Sequence, residues 1–155
     1  LLAKSLVSLQ HRKRSIRRKR IMAKYEELKN GAIFGAGEPN PYGKFFIGDT
    51  FLKGLAKSPD EKLSIGTVDF EPASRNNWHV HVDGYQILLV TAGAGWYQED
   101  GKPAQSLKAG DVVITNKGIK HWHGAKIDSW FEHIAVTSGN TDWFEAVEDG
   151  YYGAL

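Results

Sequence analysis

Four of the chain's six histidines fall in two short clusters, His79-Val80-His81 and His121-Trp122-His123. Side chains alternate faces along a strand, so residues two apart point the same way. His79 and His81 therefore aim at one point if they lie on a strand, and a neighbouring strand can bring Gln86 and His121 to the same point. Imidazole and amide donors gathered in this way suit a divalent cation. The chain has no cysteine, so thiolate sites and disulfides are excluded and any metal takes nitrogen and oxygen ligands. Glutamine on a strand also serves as a plain hydrogen-bonding neighbour, and Gln86 alone does not choose between the two.

The elements that must position these groups read as strands. Phe45 to Phe51, Leu63 to Phe70, His79 to His81, Tyr85 to Thr91 and Trp96 to Glu99 are strand-like runs broken by turn residues. Gln105 to Leu107, Val112 to Thr115, Lys120 to Gly124 and Trp130 to Thr137 continue the series. Asp83-Gly84 and Asp100-Gly101 mark turns, and Gly93 and Gly95 bracket a bend between two strands. Such regularly spaced short strands predict an all-β sandwich or barrel. Ile87-Leu88-Leu89-Val90 is apolar on both faces, which predicts a central strand whose second face a dimer partner could cover. A short helical turn is expected over Glu26 to Asn30, a wrapping loop over residues 31–43, and a helix or arm over Asp142 to Glu148.

Length and charge bound the rest. A chain of 155 residues makes one domain. No apolar run approaches the roughly 20 residues of a membrane span, and the lack of cysteine fits a soluble cytoplasmic protein. Residues 1–21 hold eight of the 20 Lys and Arg and none of the 18 acids, so the remainder carries a formal charge of −6. An acidic domain argues against a nucleic-acid surface. The leader has the composition of a nucleic-acid arm or a targeting peptide, but Met22-Ala23-Lys24 reads as an ordinary start. It is therefore read as an extension with no part in the chemistry. The expected organisation is a basic leader (1–21), an N-terminal segment (22–44), a barrel (45–140) and a C-terminal arm (141–155).

Two longer motifs resemble those of the cupins. The first runs Ala73, five residues, His79-Val80-His81, four residues, Gln86, six residues, Gly93. The second runs Gly110, five residues, Asn116-Lys117-Gly118, two residues, His121, three residues, Ala125. Ala73, Asn116 and Ala125 depart from the family's Gly, Pro and Asn, and Gln86 replaces its acid. Phrases such as Gln86-Ile87-Leu88-Leu89-Val90-Thr91-Ala92-Gly93 and Lys120-His121-Trp122-His123-Gly124 are similar to single-domain bacterial cupins related to manganese-dependent hydroxynitrile lyases. They also resemble the cupins found beside carboxymuconolactone decarboxylase domains. The resemblance implies a double-stranded β-helix (jelly-roll) barrel and a metal on His79, His81, Gln86 and His121. Manganese is favoured by that kinship, while iron, nickel or zinc also suit the donors.

A neutral amide in place of a carboxylate leaves a divalent ion with about one more unit of positive charge. That favours non-redox lyase or isomerase chemistry on a small hydroxy or carbonyl compound over dioxygenase chemistry. A His-His-Gln-His site is also similar to cupins that isomerise uronates. His123 shares the face of His121 and is the candidate general base, or else a group that orients a ligand. His133 is placed in the pocket to assist the leaving group, or is a buried structural histidine. Trp78 and Trp122 alternate with the histidines and should face away from the metal. Arg75, Asn76 and Asn77 are candidates for the barrel mouth, with a turn role as the plain alternative. The expected partners are a small-molecule substrate and a second copy of the chain, with no membrane or nucleic acid. The competing reading is a non-catalytic cupin that binds a small molecule or stores metal.

Overall fold

The computed structural model describes residues 33–35 and 37–155. The basic leader and the helical turn expected over Glu26 to Asn30 lie outside the described residues. Twelve strands follow in order: β1 (Glu38–Pro39), β2 (Phe46–Ile47), β3 (Thr50–Lys57), β4 (Leu63–Phe70), β5 (Arg75–Asn76), β6 (His79–His81), β7 (Gln86–Glu99), β8 (Gln105–Lys108), β9 (Val112–Thr115), β10 (His121–Ala125), β11 (Phe131–Ser138) and β12 (Thr141–Trp143). A short helix, α1 (Asp149–Tyr152), follows them. The strands form one antiparallel sheet curled on itself, in the order β1-β3-β4-β11-β7-β10-β5-β2, with β6 beside β10, β12 beside β6, and β8 and β9 paired with β7. This is the expected all-β barrel. Among the described residues no helix is long and apolar enough to cross a membrane.

The sheet can curl because β7 belongs to both walls. Its first half pairs with β11 and its second half with β10. Two strands were expected there, separated by a bend; instead one strand runs through. Gly93 takes the bend at φ 71°, where a Cβ would sit 1.8 Å from the Trp130 carbonyl oxygen. Only glycine fits both the angle and the approach. Ile87 and Leu89 are half-buried while Leu88 and Val90 are buried, so β7 is central but its outer face is only partly covered.

Three further expectations are corrected. The run Phe45 to Phe51 is a 3-10 turn over Gly43–Phe45, then β2, then a new strand that continues to Lys57. Gly48, at φ 82°, breaks it by turning the backbone where a strand cannot continue. Asp142 to Glu148 holds no helix: Thr141–Trp143 pairs with β6, and the helix comes later, at Asp149–Tyr152. The arm still docks. Arg75 donates from Nε and an Nη to the Val147 carbonyl at 3.2 and 2.7 Å, and pairs with Asp149. The Tyr152 hydroxyl donates to the Ala125 carbonyl at 2.7 Å. Arg75 thus clamps the arm and is withdrawn from the barrel mouth.

The core is the barrel interior. Phe70, Leu88, Leu107, Ala125 and Phe131 are almost fully buried there, with Val68, Val90, Tyr97 and Val113 around them. A second cluster of Trp122, Val147 and Tyr152, with Trp78 and Trp96, packs the arm onto the outside of β10. Trp122 donates to Gln98 Oε1 at 2.7 Å, facing away from the histidines as alternation requires.

Candidate metal centre

The antiparallel register sets His121 directly opposite His79, and His81 shares the inner face of β6. All three are buried, and one ring nitrogen of each lies within 4.8 Å of the others'. The rings are held by their far nitrogens. His79 Nδ1 lies 2.9 Å from the Asn77 carbonyl, and His121 Nδ1 lies 2.9 Å from the Ile119 carbonyl. A carbonyl only accepts, so both Nδ1 atoms carry the proton and both Nε2 atoms present lone pairs. His81 Nδ1 meets the Thr141 hydroxyl at 3.2 Å, while its Nε2 is buried without a hydrogen-bond partner.

Gln86 completes the set. Its Nε2 donates to Thr137 Oγ1 at 3.0 Å, which turns Oε1 inward, 3.4 Å from His121 Nε2. Two lone-pair atoms thus face each other in a buried place, beside the orphaned His81 Nε2. Such an arrangement is unfavourable unless a cation lies between the donors. The donor set fits a divalent ion. Burial pushes the pKa of His79 well below that of a free imidazole, and that of His121 down to about 4. Both are neutral near pH 7, the form a metal requires.

Beside this cluster lies a cavity of about 770 Å³ that reaches His79, His81, Gln86, His123 and His133. His123 follows His121 along β10, and their rings lie 6.0 Å apart and nearly parallel. His133 enters from β11, with Nε2 at 3.2 Å from His123 Nδ1. Burial drives His133 down to about 3, and burial followed by His133 holds His123 well below its ordinary value. The opposite wall is apolar and short of side chains. Gly54, Gly66 and Ala135 are register neighbours on β3, β4 and β11, and all three line the space.

The four donors read from the two motifs, His79, His81, Gln86 and His121, therefore converge on one place, with His123 and His133 beside them. Sequence reasoning missed Thr137 and Thr141, which hold Gln86 and His81, and it treated Trp143 only as a docking group. Trp143 stacks on Phe45 at 4.7 Å and lies 4.8 Å from the His79 ring, lining the cavity. Thr137 was within reach of pattern reading, because it shares the inner alternation of β11 with His133 and Ala135. Asn76 lines the cavity and touches His123, whereas Asn77 reaches the Phe144 carbonyl at 3.1 Å.

A curled double-walled sheet with histidines clustered on paired strands is the cupin arrangement, and the chain belongs to that family: the cupin domain model matches residues 66–136. It is 40% identical over 113 residues to (R)-mandelonitrile lyase of Granulicella tundricola, covering 70% of this chain and 86% of the relative. A cupin-like protein of Thermotoga maritima superposes with a TM-score of 0.74 at 38% identity, over 79% of this chain and 96% of that one. A predicted oxalate decarboxylase of the same organism shares the fold, with a TM-score of 0.61 at 22% identity over 68% of this chain and 93% of that one.

Proposed function

We propose that this cupin is a metal-dependent, non-redox lyase that cleaves a small 2-hydroxy compound, with 2-hydroxynitriles as the first class to test. His79, His81, Gln86 and His121 would hold the ion, for which manganese is our choice among divalent cations that accept nitrogen and oxygen donors. When bound, the ion supplies Lewis acidity to a substrate oxygen. The chain's own part follows from the cavity. His123 takes the hydroxyl proton on a ring nitrogen as the bond to the nitrile carbon breaks, that bond's electron pair leaves with cyanide, and a carbonyl forms. The proton then returns to cyanide. His133, hydrogen-bonded to His123, steadies the ring through both transfers. The apolar wall around Gly54, Val68 and Ala135 seats the substituent and keeps water from it.

The observation that carries this reading is the amide at Gln86, turned oxygen-inward by Thr137, where an acid would lower the site's charge. A neutral donor set favours polarising an oxygen over stabilising a higher oxidation state. The likeness to a mandelonitrile lyase supports the same class. The test is element analysis of the purified protein, then turnover of 2-hydroxynitriles, uronates and lactones. His121→Ala should lose the metal, whereas His123→Ala should keep it and lose at least ~100-fold in kcat. Ligand-induced stabilisation without product would favour a binding module, and oxygen consumption would favour a dioxygenase.

We also propose that a second copy covers the outer face of the apolar wall. Ile114, Ile87, Val136 and Ile65 form one row across the strands there, and Val112, Leu89 and Ile134 form the next. Val112 and Ile114 are 57% and 59% exposed. A twofold contact sets a patch against itself, which an uncharged row tolerates and a charged one does not. Sedimentation should find a dimer that Ile114→Glu splits, and a monomeric parent would refute the contact.

A further inference from the structure

Strand β3 changes partway along which of its residues meet the cavity. Its first half sets Leu52 and Gly54 against the cavity and Lys53 outward, where the Lys53 ammonium donates to the Phe34 carbonyl at 2.5 Å. Strict alternation would send Lys57 outward like Lys53. Leu55 is an extra residue, however: Gly54 pairs with Gly66, and Ala56 pairs with the very next position on β4, Ile65. A bulge of this kind resets the alternation. Ala56 thereby joins the outer row of Ile65 and Val136, and Lys57, opposite Ser64, turns to the cavity face.

Lys57, Ser64, Thr137 and Gln86 then form one row across β3, β4, β11 and β7, and all four line the cavity. At the far end of the row Thr137 holds the Gln86 amide at 3.0 Å. Neighbouring strands stand ~4.8 Å apart, so three steps put the Lys57 backbone ~14 Å from Gln86 along the sheet. The row leads from the proposed ion site to an exposed cation at the mouth. Among the described residues no Asp, Glu or Arg lines the cavity, and Lys57 is its single lysine. Nor does Lys57 make an ion pair among the described residues. The donors around the ion are neutral, so nothing in the lining offsets positive charge.

We infer that Lys57 is a specificity-determining residue that receives an anionic group, a carboxylate in chemical class, at the end of the substrate remote from the ion. A cavity of about 770 Å³ has room for such a substituent beyond the reacting carbon. The anion site follows from the bulge and the lining. That it serves a substrate rests on the lyase reading proposed above.

The experiment compares 4-(hydroxymethyl)phenylacetate with its neutral amide, which match in size and differ in charge. Both are titrated by ligand-observed NMR into the full chain after chelator treatment, so that no ion competes for the carboxylate. A single exposed ion pair contributes modestly, and the parent should bind the carboxylate ~5-fold tighter than the amide. Lys57→Met keeps the length of the side chain and should abolish that preference while amide binding holds. Lys57→Arg should retain the preference, as should Lys53→Met on the outer face of the same strand. Equal affinities in the parent, or no measurable binding of the carboxylate, overturn the inference without any variant. A preference that survives Lys57→Met overturns it as well, because the anion then lodges elsewhere. If Lys57→Met abolishes the preference but no hydroxy compound is turned over by the manganese-loaded parent, the anion site stands and the lyase reading fails.

Discussion

The two walls of the barrel face each other across the same cavity and are built on opposite plans. On the histidine wall each ring has a nearby hydrogen-bonding partner. His79 and His121 both give Nδ1–H to the carbonyl two residues earlier, Asn77 and Ile119. On the facing wall the row Gly54, Gly66, Ala135 carries no side chain larger than a methyl group. One wall specifies chemistry by placing donors, and the other specifies size by leaving space. The donor wall has little tolerance for change, since each ring depends on a partner in a buried setting. The empty wall should accept new side chains and alter only what the cavity admits.

The sharpest way to break this contrast is to fill the empty wall. A Cβ at Gly54 meets nothing within 4 Å, whereas at Gly66 it lies 3.0 Å from the Lys53 carbonyl oxygen. Gly54→Phe should therefore fold and occupy cavity space that a bulky substituent needs. We expect kcat/KM for an aryl substrate to fall by ~100-fold while a small aliphatic substrate changes little and metal content is unaltered. Equal losses on both substrates, or loss of metal, would show that the walls are not independent.

A smaller effect separates the walls by pH. His133 stands on the apolar wall, and burial brings it to about 3 from 6.5. A depressed folded-state value gives full stability above the unfolded pKa, lost as the pH falls toward the folded one. Between pH 6.5 and 5, at ~1.4 kcal/mol per unit, the parent should lose about 2 kcal/mol through this residue alone. Urea unfolding of the parent and of His133→Gln at the two pH values reads the difference. An unchanged slope in the variant would show that His133 titrates in the folded state like an exposed ring.

The donor wall was almost fully legible in the chain because its geometry is local. A two-residue alternation puts His79 and His81 on one face, and the motif spacing delivers Gln86 and His121. The empty wall was not, because no pattern announces a glycine chosen for the room it leaves. Gly54 and Gly66 come from separate strands and acquire meaning only through their register. The same holds for Asn76, which meets His123 across strands although the two stand 47 positions apart in sequence. The bend of β7 at Gly93 was anticipated as a break, since sequence shows a turn-former but not whether pairing continues through it. Trp143 was misplaced for another reason: its strand is only three residues long, too short for periodicity to distinguish from an arm.

The smallest expected effect lies behind the donor wall, at a motif position where this chain departs from the family pattern. Ala73 occupies the first glycine position and holds φ 68°, in the left-handed region. Its amide donates to the Lys126 carbonyl at 3.0 Å, so the backbone cannot relax to a commoner angle without losing a link between the β4–β5 turn and the end of β10. A Cβ in that region costs about 1 kcal/mol, and glycine removes the cost at some expense in unfolded-state entropy. Ala73→Gly should therefore raise stability by up to ~1 kcal/mol in urea unfolding, with metal content and turnover unchanged. Since this turn leads directly into β5, which carries Asn76, a change in kcat without a change in stability would mean that the strain is transmitted to the His123 ring. Greater stability alone would show that the donor wall keeps its geometry by its own hydrogen bonds.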